Sequence, residues 1–418
     1  MTTALTRALG AEHLALAEEV VQEAMLRALQ VWPMRGIPDN PQGWLFRVAR
    51  NGALDRLRRR SSLSDKLHSM KVGGLREPDV DPVRDPMADD ELRMIVLCCH
   101  PALTRESRVA LTLKLAGGFG VDEIARAFLT KPKTIAQRLV RAKATLRDHR
   151  VTFDLPHPAE WPDRLDAILD VLYLMFNEGY SAYEGDALVR SELCQEAIRL
   201  GNLLAEHVET RRPKLDALLA LMLLQASRLP ARVDAGGALV RLEDQDREVW
   251  DGIAIARGMR HLERSATGAE RSAYHVEAAI AAVHASAPSY DATDWRYIVS
   301  LYDQLLALNP SPIVTLNRAV AIAMADGIME GIRAASALEN DRTLRDYFLL
   351  PATLGELYAR IGDGHRACEY FERALDLPCS APERAFLTTR WEELKEIGGG
   401  RYDADSGSGA ASPRGSSR

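Results

Sequence analysis

A chain of 418 residues with 47% hydrophobic and 27% charged content can bury a sizeable core, and its length suggests about three domains. The net charge of −6, taken whole, excludes a uniformly basic nucleic-acid coat, although local patches decide binding. Five cysteines, Cys98, Cys99, Cys194, Cys368 and Cys379, form no C-x-x-C pair, and no histidine spacing completes a zinc site. They predict reduced core thiols in a cytoplasmic protein with neither metal nor cofactor. The opening MTTALTRALGAEHLALAEE is too polar for a signal peptide, and Leu215–Leu224 is too short to cross a bilayer, so no membrane partner is expected. Few stretches alternate as strands do, and the expected class is all-α.

Leu14 to Leu29 has the period of an amphipathic helix: Leu16, Val20 and Ala24 share one face, with Ala17, Val21 and Ala28 beside it. Glu18, Glu19 and Gln22 face away, and Glu23 sits at the edge. An acidic face is most often only solvated; its second reading is a dock for a basic surface. Residues 32–43, WPMRGIPDNPQG, read as a loop from their Pro, Gly and Asn-Pro content. A second helix is expected over Trp44–Arg60, with two apolar sides and a basic end of Arg56, Arg58, Arg59 and Arg60. A cationic helix end can simply complement the helix dipole, but four arginines in five residues exceed that need and fit nucleic acid.

Residues 61–91 read as an acidic linker rich in Ser, Gly, Pro and Asp. Helices follow over 91–100 and 103–116, the second capped by Thr104, and Gly117-Gly118 ends it. Residues 117–147 then carry two helices meeting at a tight turn. Val121, Ile124, Ala125 and Phe128 space a short first helix. Thr130 is the expected N-cap of the second, with Pro132 in its first turn. Ile135, Leu139, Ala142 and Leu146 form its apolar stripe; Lys133, Thr134, Gln137 and Arg141 project from the other side, with Arg138 on the flank. That is the pattern of a helix-turn-helix whose second helix enters the DNA major groove, Lys and Arg meeting phosphates and Gln and Arg reading base edges.

The block LAEEVVQEAMLRAL…PDNPQGWLFRVARNGALDRLRRR resembles region 2 of bacterial extracytoplasmic-function sigma factors. The block LTRESRVALTLKLAGGFGVDEIARAFLTKPKTIAQRLVRAKATLR resembles their region 4. The resemblance implies a region 2 bundle over 1–60, shortened at its N-terminus, a tether over 61–91 and a region 4 helix-turn-helix over 92–150. It implies that Glu18, Glu19, Gln22 and Glu23 grip the β′ clamp helices of core RNA polymerase. Asn51, Asp55, Arg56, Arg58 and Arg59 would lie at the melted −10 element of promoter DNA. Lys133, Thr134, Gln137, Arg138 and Arg141 would read the −35 element.

The rest of the chain is also expected to be helical, as an extension over 151–290, repeats over 291–397 and a Gly/Ser-rich disordered tail over 398–418. Leu354-Gly355, Tyr358, Gly362, Ala367, Tyr370-Phe371, Ala374 and Pro378 match the tetratricopeptide (TPR) pattern, and a weaker copy starts at Pro312. Such helix pairs stack into a solenoid with a concave face for a protein partner. The sigma subgroup with a TPR-like extension is similar to this chain, including its LMFNEGYSA segment. Asn177, Glu178 and Tyr180 are read evenly as a structural turn or as a contact with the sigma modules, whereas Asp244–Arg247 is read as structural. No nucleophile motif or metal spacing supports an enzyme. The alternative is a TPR-type scaffold whose N-terminus is a DNA-binding remnant.

Overall fold

The computed structural model describes residues 1–64, 86–128, 130–180, 190–234 and 239–405. Among these every regular element is a helix, and the one β-feature is an isolated antiparallel bridge between Val233 and Leu239. The Ala-Gly-Gly-Ala segment between the bridged residues lies outside the described residues, as does most of the acidic linker.

The first unit comprises residues 1–175 and 199–211. It opens with α1 (Thr2–Leu9) and a 3₁₀ turn, so a short helix does precede the acidic one. Leu5 of α1 is fully buried with Leu16, Val20, Val21, Ala24, Ala49 and Ala53. Helix α2 covers Leu14–Arg35, six residues beyond the expected end. Pro33 lies in its last turn, where it removes one backbone hydrogen bond, and Gly36 stops the helix at φ 79° with its N–H on the Trp32 carbonyl. The expected loop shrinks accordingly, because α3 (Pro41–Ser64) begins with a proline at its first position.

Helix α4 (Pro86–Cys98) starts inside the expected linker, and α5 (Arg105–Leu115) is capped as predicted, Thr104 Oγ1 accepting the Ser107 N–H at 3.3 Å. Helices α6 (Val121–Ala127) and α7 (Pro132–Asp148) make the helix-turn-helix. The cap of α7 is Lys131, not Thr130: proline forces the preceding residue into extended backbone, and Lys131 has φ −74° and ψ 140°. The Thr130 amide instead closes α6 on the Ala125 carbonyl at 2.9 Å. Helices α8 (Trp161–Tyr180) and α9 (Ser191–Glu206) are shared out between the two units, so the first compact unit extends past residue 150.

The second unit comprises residues 176–198 and 212–418. Its centre is α10 (Pro213–Ala226), in which Leu215 to Leu224 are all buried, and this explains an apolar run too short for a membrane. It packs on α11 (Gly252–Ser265) and α12 (Ala273–Ser286); Gly258 lets α11 approach, since a Cβ there would stand 2.8 Å from Leu224 Cγ. Then α13 (Trp295–Leu308), α14 (Pro312–Asp326), α15 (Ile328–Ser336), α16 (Leu349–Arg360), α17 (Gly364–Leu375) and α18 (Ala381–Asp405) each pack on the next. Helix α18 continues to Asp405, so the tail expected from Gly398 begins as helix; its remainder lies outside the described residues.

Candidate nucleic-acid and polymerase interfaces

Helix α7 divides as its sequence predicts. Ile135, Leu139, Ala142 and Leu146 are buried, whereas Lys133, Thr134, Gln137 and Arg141 are exposed and Arg138 is half-buried. Thr134, Gln137, Arg138 and Arg141 line a groove of about 370 Å³ against the start of α5. Glu106 borders it, and hydrogen bonds from its own backbone N–H and from Thr104 hold its carboxyl below the usual range, with Arg138 adding to the effect. Val140 of the same helix is 65% exposed. It belongs to neither the buried nor the charged set of this helix, so the sequence pattern does not single it out.

The acidic residues of α2 do not behave alike. Glu19, Gln22 and Glu23 are exposed. Glu18 is half-buried in an ion pair with Lys143 of α7, and the two side chains are only 13% and 19% exposed. Glu19 Oε2 lies 2.8 Å from Arg56 Nη1, and Glu23 pairs with the same guanidinium. Arg56, expected at DNA, is therefore joined to two residues expected at polymerase, because α2 and α3 pack side by side. Arg58, Arg59, Asn51 and Asp55 are exposed; the side chain of Arg60 lies outside those described.

Two features of this unit were not foreseen. Met25, Leu26 and Leu29 are exposed, at 48, 59 and 73%, one turn and two turns beyond Gln22, so the acidic face of α2 continues as an apolar one. Exposed apolar residues in one stripe mark a protein-binding surface. Their phase, offset from Leu16, Val20, Ala24 and Ala28, was the available signal. The second feature is a groove of about 650 Å³ between α2 and α3, walled by Trp32 and Trp44 and lined by Arg27, Arg35, Asn51 and Asp55. The two indoles meet edge to face at 5.6 Å, and Trp32 Nε1 is buried without a hydrogen-bond partner among the described residues.

In the second unit, Glu178 bonds Arg190 at 3.1 Å, and burial raises its carboxyl against the pull of that arginine. Arg232 stands 4.0 Å over the Tyr180 ring and donates to the Tyr180 carbonyl. Asn177 is half-buried beside them. The partners seen for Glu178 and Tyr180 thus lie within the second unit. Around 241–247, Arg241 Nε bonds Asp244 at 2.8 Å, and Arg247 donates to the carbonyls of His284 and Ala287 at 2.6 and 2.8 Å, the structural role expected.

Comparison with known proteins places these features in families. Residues 4–63 match sigma-70 region 2, residues 93–146 match sigma-70 region 4, and residues 164–266 match a family of unknown function, DUF6596. The chain is 38% identical over 406 residues to an uncharacterized protein of Rhizobium meliloti, covering 94% of this chain and 95% of the relative. It is 30% identical over 136 residues to the "Probable RNA polymerase sigma factor RfaY" of Xanthomonas campestris, 32% of this chain and 34% of that one. It is 29% identical over 140 residues to the ECF RNA polymerase sigma-E factor of Escherichia coli, 32% of this chain and 72% of the relative.

An acidic-apolar helix, a basic helix beside it and a helix-turn-helix further on are the two modules of a sigma-70-type transcription initiation factor. The chain belongs to the extracytoplasmic-function (ECF) sigma factors, and it carries a DUF6596 region within a large helical extension. As a sigma factor it binds core RNA polymerase and promoter DNA. The match to region 2 starts at residue 4 and takes in most of α1.

Proposed function

We propose that the chain divides its labour by residue as follows. Glu19, Gln22, Glu23 and, once released from Lys143, Glu18 meet the β′ clamp helices, with Met25, Leu26 and Leu29 extending the contact. Lys133, Thr134, Gln137, Arg138 and Arg141 read the −35 element. Asn51, Asp55, Arg58 and Arg59 lie at the −10 element. Arg56 acts mainly by tying α3 to α2. The Trp32–Trp44 groove accepts an unstacked base, since aromatic faces stack bases of any sequence. The chain performs no covalent chemistry and works in the cytoplasm. Residues 291–397, read as TPR-like helix pairs, bind a protein partner and set the activity of the sigma modules.

The observation that carries this reading is the basic face of α7, exposed opposite a stripe buried down to the last residue. Run-off transcription with purified core polymerase tests it. Arg138→Glu with Arg141→Glu should abolish promoter-specific transcripts while core binding persists. Transcription that survives this double reversal would remove α7 from promoter recognition.

A further inference from the structure

A cavity of about 270 Å³ lies in the second unit where α12, α13, α14 and α16 come together. Its volume lies just below the range of drug-sized ligand pockets, which starts at about 300 Å³, so the occupant is no larger than one or two fused rings. The walls are aromatic: Tyr290 and His284 each meet the Trp295 ring edge to face, at 5.1 and 5.2 Å, and Tyr302 lines the cavity beside them. Two polar atoms of these walls, Trp295 Nε1 and His284 Nδ1, are buried without a hydrogen-bond partner among the described residues. A buried orphan of this kind destabilises the fold, so groups left so in a native protein call for an explanation. Asn317 adds an amide that both donates and accepts.

The charges say which ligand fits. At the rim Arg241 and Arg360 are matched by Glu243 and Glu356: Arg241 lies 2.7 Å from Glu243 and 3.4 Å from Glu356, and Arg360 pairs with Glu243. Each of these lining charges is paired, and Arg390 and Asp244 behind them hold Glu356 and Arg241 at 2.8 Å, so no unmatched charge faces the cavity to select an ion. Burial, assisted by Arg228 and Arg247, pushes His284 down to about 4, so the imidazole is neutral at pH 7. Burial also pushes Tyr302 up to about 12, so its hydroxyl keeps its proton.

We infer that this cavity binds an uncharged heteroaromatic molecule of nucleobase size, with a ring acceptor on Trp295 Nε1, His284 and Asn317 completing the polar contacts and the ring held between aromatic walls. The extension is then a small-molecule receptor, a role independent of the residue assignments made for the sigma modules. Binding of adenine, guanine, xanthine and uracil to the full-length chain, by ligand-observed NMR and calorimetric titration, tests it. At least one probe should bind saturably. Trp295→Phe keeps an aromatic ring but removes the donor, and should weaken that binding about tenfold. Asn317→Ala, a milder change, should weaken it several-fold with an unaltered unfolding midpoint, and it decides the matter if Trp295→Phe lowers that midpoint. The inference is overturned if none of the four probes binds, or if binding is the same in Asn317→Ala. It is also overturned if a short peptide with a free carboxyl terminus binds this cavity while the heterocycles do not.

Discussion

His100 and His284 are both pushed down to about 4, first by burial and then by neighbouring cations: Arg164, His149 and Arg108 for the one, Arg228 and Arg247 for the other. In the unfolded chain both imidazoles take up protons near pH 6.5. Between pH 6.5 and 4 the unfolded state therefore binds more protons, and stability rises with pH. The contribution is complete above pH 6.5 and is lost as pH falls toward 4. Thermal unfolding from pH 7 to 4.5 should show this fall, and His284→Gln and His100→Gln should each flatten it by a similar amount, because the two shifts are alike. Equal slopes in wild type and His284→Gln would contradict the assignment. Arginines separate just as cleanly by environment. Arg56, held by two carboxylates with a buried nitrogen, should lose about 0.5–1 kcal/mol on replacement by Ala, whereas exposed Arg141 should change stability by less than about 0.5 kcal/mol. Chemical denaturation of the two variants reads the difference.

Helix pairs in the second unit depend on small residues at their crossings. A Cβ on Gly331 of α15 would stand 2.3 Å from Ala323 Cβ of α14, and one on Gly355 of α16 would stand 3.2 Å from the Phe371 ring of α17. Gly331→Val should destabilise by about 1–3 kcal/mol through overpacking, and Phe371→Ala by about 3–5 kcal/mol through the cavity it leaves. Urea unfolding measures both, and a Gly331→Val variant as stable as wild type would mean that α14 and α15 can move apart. Gly355 was legible in the sequence as a small residue at its place in the repeat pattern. So was the buried stripe of α7, which repeats at the helical period. What could not be read was set by residues far apart in the chain. Nothing local tells that Arg56 meets Glu23 or that Lys143 meets Glu18, 33 and 125 positions away. Single turn residues misled for a related reason: Pro33 looked like a helix end, but it sits where only one hydrogen bond is lost. Thr130 looked like a cap, but Pro132 moved the cap to Lys131.

Across the first unit, ion pairs join parts that the sequence assigns to separate modules: Arg7 with Asp90 at 3.0 Å, Glu91 with Arg199 at 2.5 Å, Arg93 with Asp154 at 3.8 Å, and Glu18 with Lys143. The last matters most for function. Lys143 lies on the helix proposed to read DNA, Glu18 on the face proposed to hold polymerase, and both are largely withdrawn from water. While they are joined, Glu18 has no carboxylate to offer, so core binding through it requires the pair to open. That opening subtracts from the observed affinity. Lys143→Ala removes the competitor and should tighten binding to core polymerase several-fold, up to about tenfold if opening costs about 1.4 kcal/mol. Its own unfolding midpoint should fall, since a charged hydrogen bond worth about 1.5–3 kcal/mol is lost. Glu18→Lys with Lys143→Glu restores the pair in reverse, and should recover the midpoint but not core binding, because a lysine then faces the clamp. Fluorescence anisotropy of labelled chain titrated with core polymerase separates these outcomes. If Lys143→Ala binds core no better than wild type while remaining folded, the pair is a structural tie alone, and Glu18 belongs to the core of this unit rather than to the polymerase face.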